Sequence, residues 1–357
     1  MVEEKDRLAD YLAEIPNFLS IFIFSIFFNI ASPILIEISK STSILTTNLI
    51  LFWVIYFLSG YILGVVWIQA NQFILVSKVR NKERIITIFL TFYPIGAFIA
   101  SFISSSIISA GFSWRSIFYI VIFMISINII LYIILLGRKS ENAAIQNEAK
   151  LPLKEIFTDK TKNLIFILLF LAVCFYCSSE TILATWTPTF LREARNLPVQ
   201  PASLALNLFW LFVIIGRVIV LIIAGRIKST KIMLVISTLA IISMIAVAFI
   251  YNKYLIFILI SIAGLGYSAM FPLLISAGST LYEKGRGILV TFLFLASNIG
   301  VASAPAITKF SSKASMQLSI SFSFILMAIV SIIVLMITYL FNRRTGNFIN
   351  QGPIKQI

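Results

Sequence analysis

"NLIFILLFLAVCFYCSSETILATWTPTFL", residues 163–191, decides the fold. Uncharged apolar runs of about 18 residues or more mark membrane helices, and this stretch interrupts one with a single acid, Glu180. Similar runs fill nearly the whole chain. Of its 357 residues 60% are hydrophobic and 12% charged, against roughly a quarter charged in a soluble domain. The composition therefore predicts an all-α polytopic membrane protein. The alternating segments of about 10 residues that build a transmembrane β-barrel are absent from the sequence. The chain has no histidine, which excludes His-based catalysis, His proton relays and His metal ligation. Cys174 and Cys177 form a CxxC inside an apolar helix, with no further Cys or His nearby, and read as two buried small residues. The first residues, "MVEEKDRLADYLAEIPN", lack the basic start and cleavage site of a secretory signal, so the first helix is expected to stay in the mature protein.

Working outward, apolar continuity predicts ten spans, at about 16–38, 48–79, 85–110, 114–137, 163–191, 203–226, 230–250, 254–281, 286–310 and 315–341. The second span is long. Its 32 residues reach about 48 Å, more than one crossing of about 30 Å but too little for two crossings and a turn. With both termini cytoplasmic, inner segments carry 20 Lys and Arg against 7 in outer ones, and Arg217 stays inside a helix. The positive-inside rule supports that orientation. The net charge of +14 then faces an anionic inner leaflet, and no nucleic-acid partner is needed to explain it.

The polar segment 138–162 divides four helices from six. Across it, "LGVVWIQANQFILVSKVRNKERI" (63–85) sets against "LGYSAMFPLLISAGSTLYEKGRG" (265–287). One offset of 202 pairs Gly64 with Gly266, Lys82 with Lys284 and Arg84 with Arg286. Parallel repeats of this kind are a transporter architecture. The halves are unequal: Gly64 lies about 48 residues after the start of the first helix at about 16, and Gly266 about 103 residues after the start of the second half's helices at about 163. The difference is two helices with their loops, an even number, which preserves the orientation of everything downstream. The turn in "PILIEISKSTSILTTNLILFW" (33–53) is then expected to join helices that a full-length relative keeps apart.

The stretches "RNKERIITIFLTFYPIGAFIASF…GFSWRSIFYI" (81–120) and "GLGYSAMFPLLISAGSTLYEKGRGILVTFLFLASNIGVASAP" (264–305) resemble the major facilitator superfamily. The first is similar to its fourth-to-sixth helix region and the second to its tenth and eleventh helices. The resemblance implies a bundle of about 10 transmembrane helices in pseudo-twofold halves, with the second and third helices missing from the N-terminal half. The implied organisation is an N-terminal four-helix half (1–137), a cytoplasmic linker (138–162), a six-helix half (163–345) and a cytoplasmic tail (346–357). "SSETILATWTPTFL" followed by "LALNLFWLFVIIGR" is similar to carriers of sugars and related organic solutes. The family's G-x-x-x-D-R-x-G-R-R loop is absent from the first half, and its fainter copy is "AGRIKSTK" (224–231), with Ser229 where an Asp is usual. Arg84, Gly225, Arg226 and Arg286 are the gating-loop candidates that the resemblance implies.

Ionisable groups inside bilayer helices are expensive and are functional candidates by default. Two lie deep. Glu180 reads as a protonatable or solute-binding carboxylate, or as a cap on neighbouring hydroxyls. Arg217 shares a helical stripe with Asn207, Trp210 and Ile214, and reads as a cavity wall or as an arginine snorkelling to the inner headgroups. On straight helices the two differ by about 11 Å in depth, so a direct ion pair would need tilted or kinked helices. Gln69, Asn71 and Gln72 crowd the second span, where Asn71 shares a stripe with Gly60, Gly64 and Trp67 and reads as interhelical glue or as a ligand. Asn298 lies on a stripe with Thr291, Phe294, Ala302 and Pro305, Tyr267 sits in a Gly-rich helix, and Trp186 and Pro188 mark a possible kink. Such an aromatic and amide lining suits a neutral hydroxylated solute, and equally suits packing.

These features predict a secondary transporter of a small organic solute, sugar-like or an organic acid, working by alternating access in the cell membrane. Proton coupling would rest on Glu180. No cofactor, metal cluster, phosphate loop or nucleophile–base pair is legible, so an enzyme is not expected. The alternative is a non-transporting, receptor-like relative that keeps the bundle without the cycle, favoured by the missing pair of helices. A homodimer that covers the exposed flank is a further reading.

Overall fold

The computed structural model describes residues 19–20, 22–23, 25–26, 82–113, 115–136, 159–223, 226–281, 286–312 and 316–344. All regular structure among them is helical. In chain order the helices are α1 (Lys82–Ser109), α2 (Arg115–Leu136), α3 (Lys160–Arg195), α4 (Val199–Ile223), α5 (Ser229–Phe249), α6 (Lys253–Tyr267), α7 (Met270–Thr280), α8 (Arg286–Ser312) and α9 (Met316–Arg344). Among the described residues seven stretches are long and apolar enough to cross a membrane: Leu90–Ser109, Lys160–Arg195, Val199–Ile223, Ser229–Phe249, Lys253–Ser279, Ile288–Ser312 and Ile320–Leu340. The expected spans from 85 onward therefore find helices whose ends fall close to the expected ones, with one exception. The span expected at 254–281 is broken at Ser268 and Ala269, between α6 and α7.

The chain forms two compact units, Met1–Glu148 and Ala149–Ile357. In the first, Ile26, Ala100, Ile117 and Val121 form a small apolar core. Polar bonds tie its elements together. The Ser25 hydroxyl donates to the Tyr93 carbonyl, and Asn128 Nδ2 donates to Ser20 Oγ at 2.9 Å. Tyr119, Phe123 and Ile133 of α2 point outward, as lipid-facing residues should.

In the second unit α3 is the central helix, packed on α8 and α9 and also touching α4 and α7, while α6 lies against both α4 and α5. Local chemistry explains its limits. Asp159 caps the start, accepting from the Thr161 and Lys162 amides at 2.9 and 3.2 Å and satisfying two otherwise orphaned donors. At the far end Asn196 adopts the left-handed conformation (φ 54°) that closes many helices. Arg195, in the last turn of α3, reaches the end of α5, where its Nε donates to the Ile250 carbonyl at 3.1 Å and its Nη2 to the Ala248 carbonyl at 3.0 Å. Its guanidinium also lies 4.2 Å from the Tyr251 ring centre and 4.8 Å from that of Phe190. The helix runs unbroken through Trp186 and Pro188.

Candidate functional site

The break between α6 and α7 has a proline two residues after the restart of the helix, Pro272. A helical carbonyl at position i is normally served by the N–H of i+4, and for Ser268 that residue is Pro272, which has none. The chain turns through Ser268 and Ala269 and restarts at Met270. Two buried side chains from other helices take up carbonyls at the break. Arg217 Nε of α4 donates to Ser268 O at 2.7 Å, and the Tyr176 hydroxyl of α3 lies 2.8 Å from Tyr267 O. Close approach of α4 makes the first contact possible. A Cβ on Gly216 would lie 2.5 Å from Ser268 Cβ, and one on Gly264 would strike the Phe209 carbonyl.

Glu180 joins the same point from one turn further along α3. Its Oε1 lies 2.7 Å from Tyr176 Oη, and its charge and that of Arg217 are close enough to interact. The gap expected from helical rise is bridged, because both groups reach the break: Arg217 directly and Glu180 through Tyr176. Arg217 is 5% exposed, so it is not an arginine reaching for the headgroups. Around this point lies an aromatic and hydroxyl shell. Tyr267 Oη pairs with Ser179 Oγ at 2.5 Å, and Ser179 Oγ also lies 2.5 Å from Ser323 O of α9. The Tyr267 ring packs on Tyr176 and on Phe209, with centroids 5.8 and 5.7 Å apart.

The other expected residues divide. Asn207 is buried, and its Oδ1 has no hydrogen-bond partner among the described residues; neither has Ser203 Oγ, one turn earlier on the same stripe. Trp210, on that stripe too, is fully buried with its ring edge-on to Phe209. Asn298 is partly buried, but the stripe drawn through it is mixed: Phe294 packs on Phe271, while Ala302 and Pro305 are exposed. Arg226 is exposed at the start of the turn before α5. Asn71, Gln69, Gln72 and Gly225 lie outside the described residues, as do the long second span, residues 138–158 of the linker and the side chains of Arg84 and Arg286. Cys174 and Cys177 are free thiols packed beside Gly300. Among the described residues no His, Cys, Asp or Glu cluster could hold a metal ion.

Tyr176, Ser179, Ser268 and Ser323 were not singled out from the sequence. One signal was available, the proline in "YSAMFP" that frees the Ser268 carbonyl. Nothing in the spacing shows that Tyr176 meets it.

A long-helix bundle with ionisable groups converging on a broken helix is the architecture of a membrane carrier. The family model of the Major Facilitator Superfamily matches residues 8–305. The chain belongs to that superfamily, whose members are transporters and not enzymes. It is 24% identical over 256 residues to the glucose/mannose transporter GlcP of Bacillus subtilis strain 168, covering 68% of this chain and 61% of that protein. It is 21% identical over 281 residues to the TsgA homolog of Buchnera aphidicola subsp. Baizongia pistaciae (strain Bp), covering 75% of this chain and 66% of that protein. The chain thus spans less than two thirds of the length of these curated relatives. The fold is shared with solved transporter structures. The E. coli fucose:proton symporter FucP superposes with a TM-score of 0.56 at 14% identity, over 92% of this chain and 86% of that one. A bacterial homolog of the human lysosomal transporter Spinster superposes with a TM-score of 0.63 at 13% identity, over 94% and 98%.

Proposed function

We propose that this chain is a secondary transporter of a small hydroxylated solute, a sugar or a hydroxylated organic acid, that moves its substrate by alternating access and couples it to a proton at Glu180. The observation that carries the solute class is the pair of buried orphan oxygens on α4, Asn207 Oδ1 and Ser203 Oγ. A buried acceptor without a donor costs about 1–3 kcal/mol, and the hydroxyls of a polyol are donors that could meet it. The relative named for glucose and mannose and the structural neighbour named a fucose:proton symporter support the same class.

In this reading residues 1–137 and 163–345 are the moving halves, joined by a cytoplasmic segment at 138–162. Both termini and the 346–357 tail are cytoplasmic, and the bundle sits in the cell membrane. Asn207, Trp210, Tyr267, Asn298, Arg217 and Glu180 serve the solute and the proton from the second half, Asn71 and Gln69 from the first. Arg84, Gly225, Arg226 and Arg286 act at the cytoplasmic turns. The test is uptake into proteoliposomes from a panel of sugars and organic acids. Accumulation of at least one solute above empty vesicles is expected. Binding of a solute without flux would select a receptor-like relative instead.

A further inference from the structure

Tyr176 Oη faces two acceptors, Glu180 Oε1 at 2.7 Å and the Tyr267 carbonyl at 2.8 Å, and a phenol has one proton. Both contacts are hydrogen bonds at once only when Glu180 is itself protonated. The carboxylic acid then donates to Tyr176 Oη, and the Tyr176 O–H donates to Tyr267 O. When Glu180 releases its proton to water it has no donor left. The stronger, charge-assisted bond draws the Tyr176 proton to the carboxylate, and the Tyr267 carbonyl at the end of α6 loses its donor.

We propose that Tyr176 is a one-proton switch linking the charge of Glu180 to the break between α6 and α7: closed when Glu180 is protonated, loosened at Tyr267 when it is ionised. Arg217 holds the neighbouring Ser268 carbonyl at 2.7 Å in either state, so one side of the break stays clamped while the other is released. The surroundings bring few competing groups. Facing Glu180 are Tyr176 and Cys177 on its own helix, Arg217 on α4 and Tyr267 on α6. The helices α7, α8 and α9, which also pack on α3, carry no acid; their Arg and Lys lie at or near helix ends, and Tyr339 lies in the last turns of α9. All parts of the switch belong to the second unit. The proposal rests on the reading of Glu180 as the coupling carboxylate, and it supplies the means by which a proton there would move a helix.

The test uses the full chain in lipid nanodiscs. Amide hydrogen exchange at Ala269, Met270 and Phe271, corrected for its intrinsic pH dependence, is measured at the acid and alkaline ends of the range in which the protein stays folded. Titration of Glu180 is followed separately by the infrared carboxylic-acid band that Glu180→Gln removes. In the wild type, exchange at the alkaline end is expected to be about fivefold or more faster, the effect of one lost hydrogen bond. Glu180→Gln, whose amide can donate to Tyr176 in place of the acid, is expected to be slow at both ends. Tyr176→Phe is expected to be fast at both. A general folding defect would loosen both variants, whereas the switch moves them in opposite directions. The proposal is overturned by unchanged wild-type exchange across the titration, by a pH response that survives in Glu180→Gln, or by a Glu180 band that never titrates. None of these readouts needs flux. A protein that takes up solute without the response would overturn the switch alone, and one with the response but no uptake would overturn only the carrier reading.

Discussion

Arg217→Met removes the donor from a carbonyl that its own helix cannot serve. Ser268 O has Pro272 at i+4, so no backbone N–H replaces Arg217 Nε in the regular helical pattern. Hydrogen bonds to charged groups contribute about 1.5–3 kcal/mol, and a buried acceptor left unpaired costs about 1–3 kcal/mol, two views of the same loss. Arg217→Met is therefore expected to lower stability by about 2–3 kcal/mol in reversible unfolding in mixed micelles, read by helical circular dichroism. The origin of that loss has its own test. Pro272→Ala restores an N–H four residues after Ser268, so the double variant Arg217→Met/Pro272→Ala should recover about 1 kcal/mol or more relative to additivity. An Arg217→Met protein within about 0.5 kcal/mol of wild type would refute the reasoning. So would strict additivity of the two substitutions, since the proline would then have no part in making the carbonyl dependent on arginine.

Asn207→Leu should separate stability from function: it removes an unpaired buried acceptor, so the unfolding midpoint should hold or rise, while solute binding by isothermal calorimetry is lost. Gly216→Ala places a methyl 2.5 Å from Ser268 Cβ, which should cost about 1–3 kcal/mol through overpacking and raise hydrogen exchange at residues 268–271. Asp159→Ala removes the cap of α3 and should cost about 1 kcal/mol, read by thermal unfolding, with Asp159→Asn close to wild type. Arg195→Lys keeps the charge but loses the fork that serves the Ile250 and Ala248 carbonyls, so it should be nearly as destabilising as Arg195→Ala in the same assay.

Helices were the legible part of this chain, because charges punctuate its apolar runs. The expected 230–250 is α5 at Ser229–Phe249, and the expected 85–110 is α1 at Lys82–Ser109. The break at Ser268 is not legible, because hydropathy stays high through "GYSAMFPLL" and a proline alone does not mark it: Pro94, Pro188 and Pro305 lie inside unbroken helices. Glu180 and Arg217 were found because charge in an apolar helix stands out. Their meeting was not, because a straight-helix depth ignores the carbonyls that a broken neighbour offers between them. Tyr176, Ser179 and Ser323 carry hydroxyls that helices in a membrane also use for packing, so nothing in their spacing sets them apart. The stripe through Asn298 is mixed for a related reason. Periodicity names a face, and here the face turns from the buried Phe294 to the exposed Ala302 and Pro305 within three turns.

Proton-driven uptake tests the central claim most directly. The full chain in proteoliposomes is given an inward proton gradient, and a solute found in the uptake panel is followed by radiolabel. The account predicts accumulation above the external concentration in the wild type, abolished by a protonophore and absent in Glu180→Gln. Accumulation that is the same with and without the gradient, or that survives in Glu180→Gln, would contradict it.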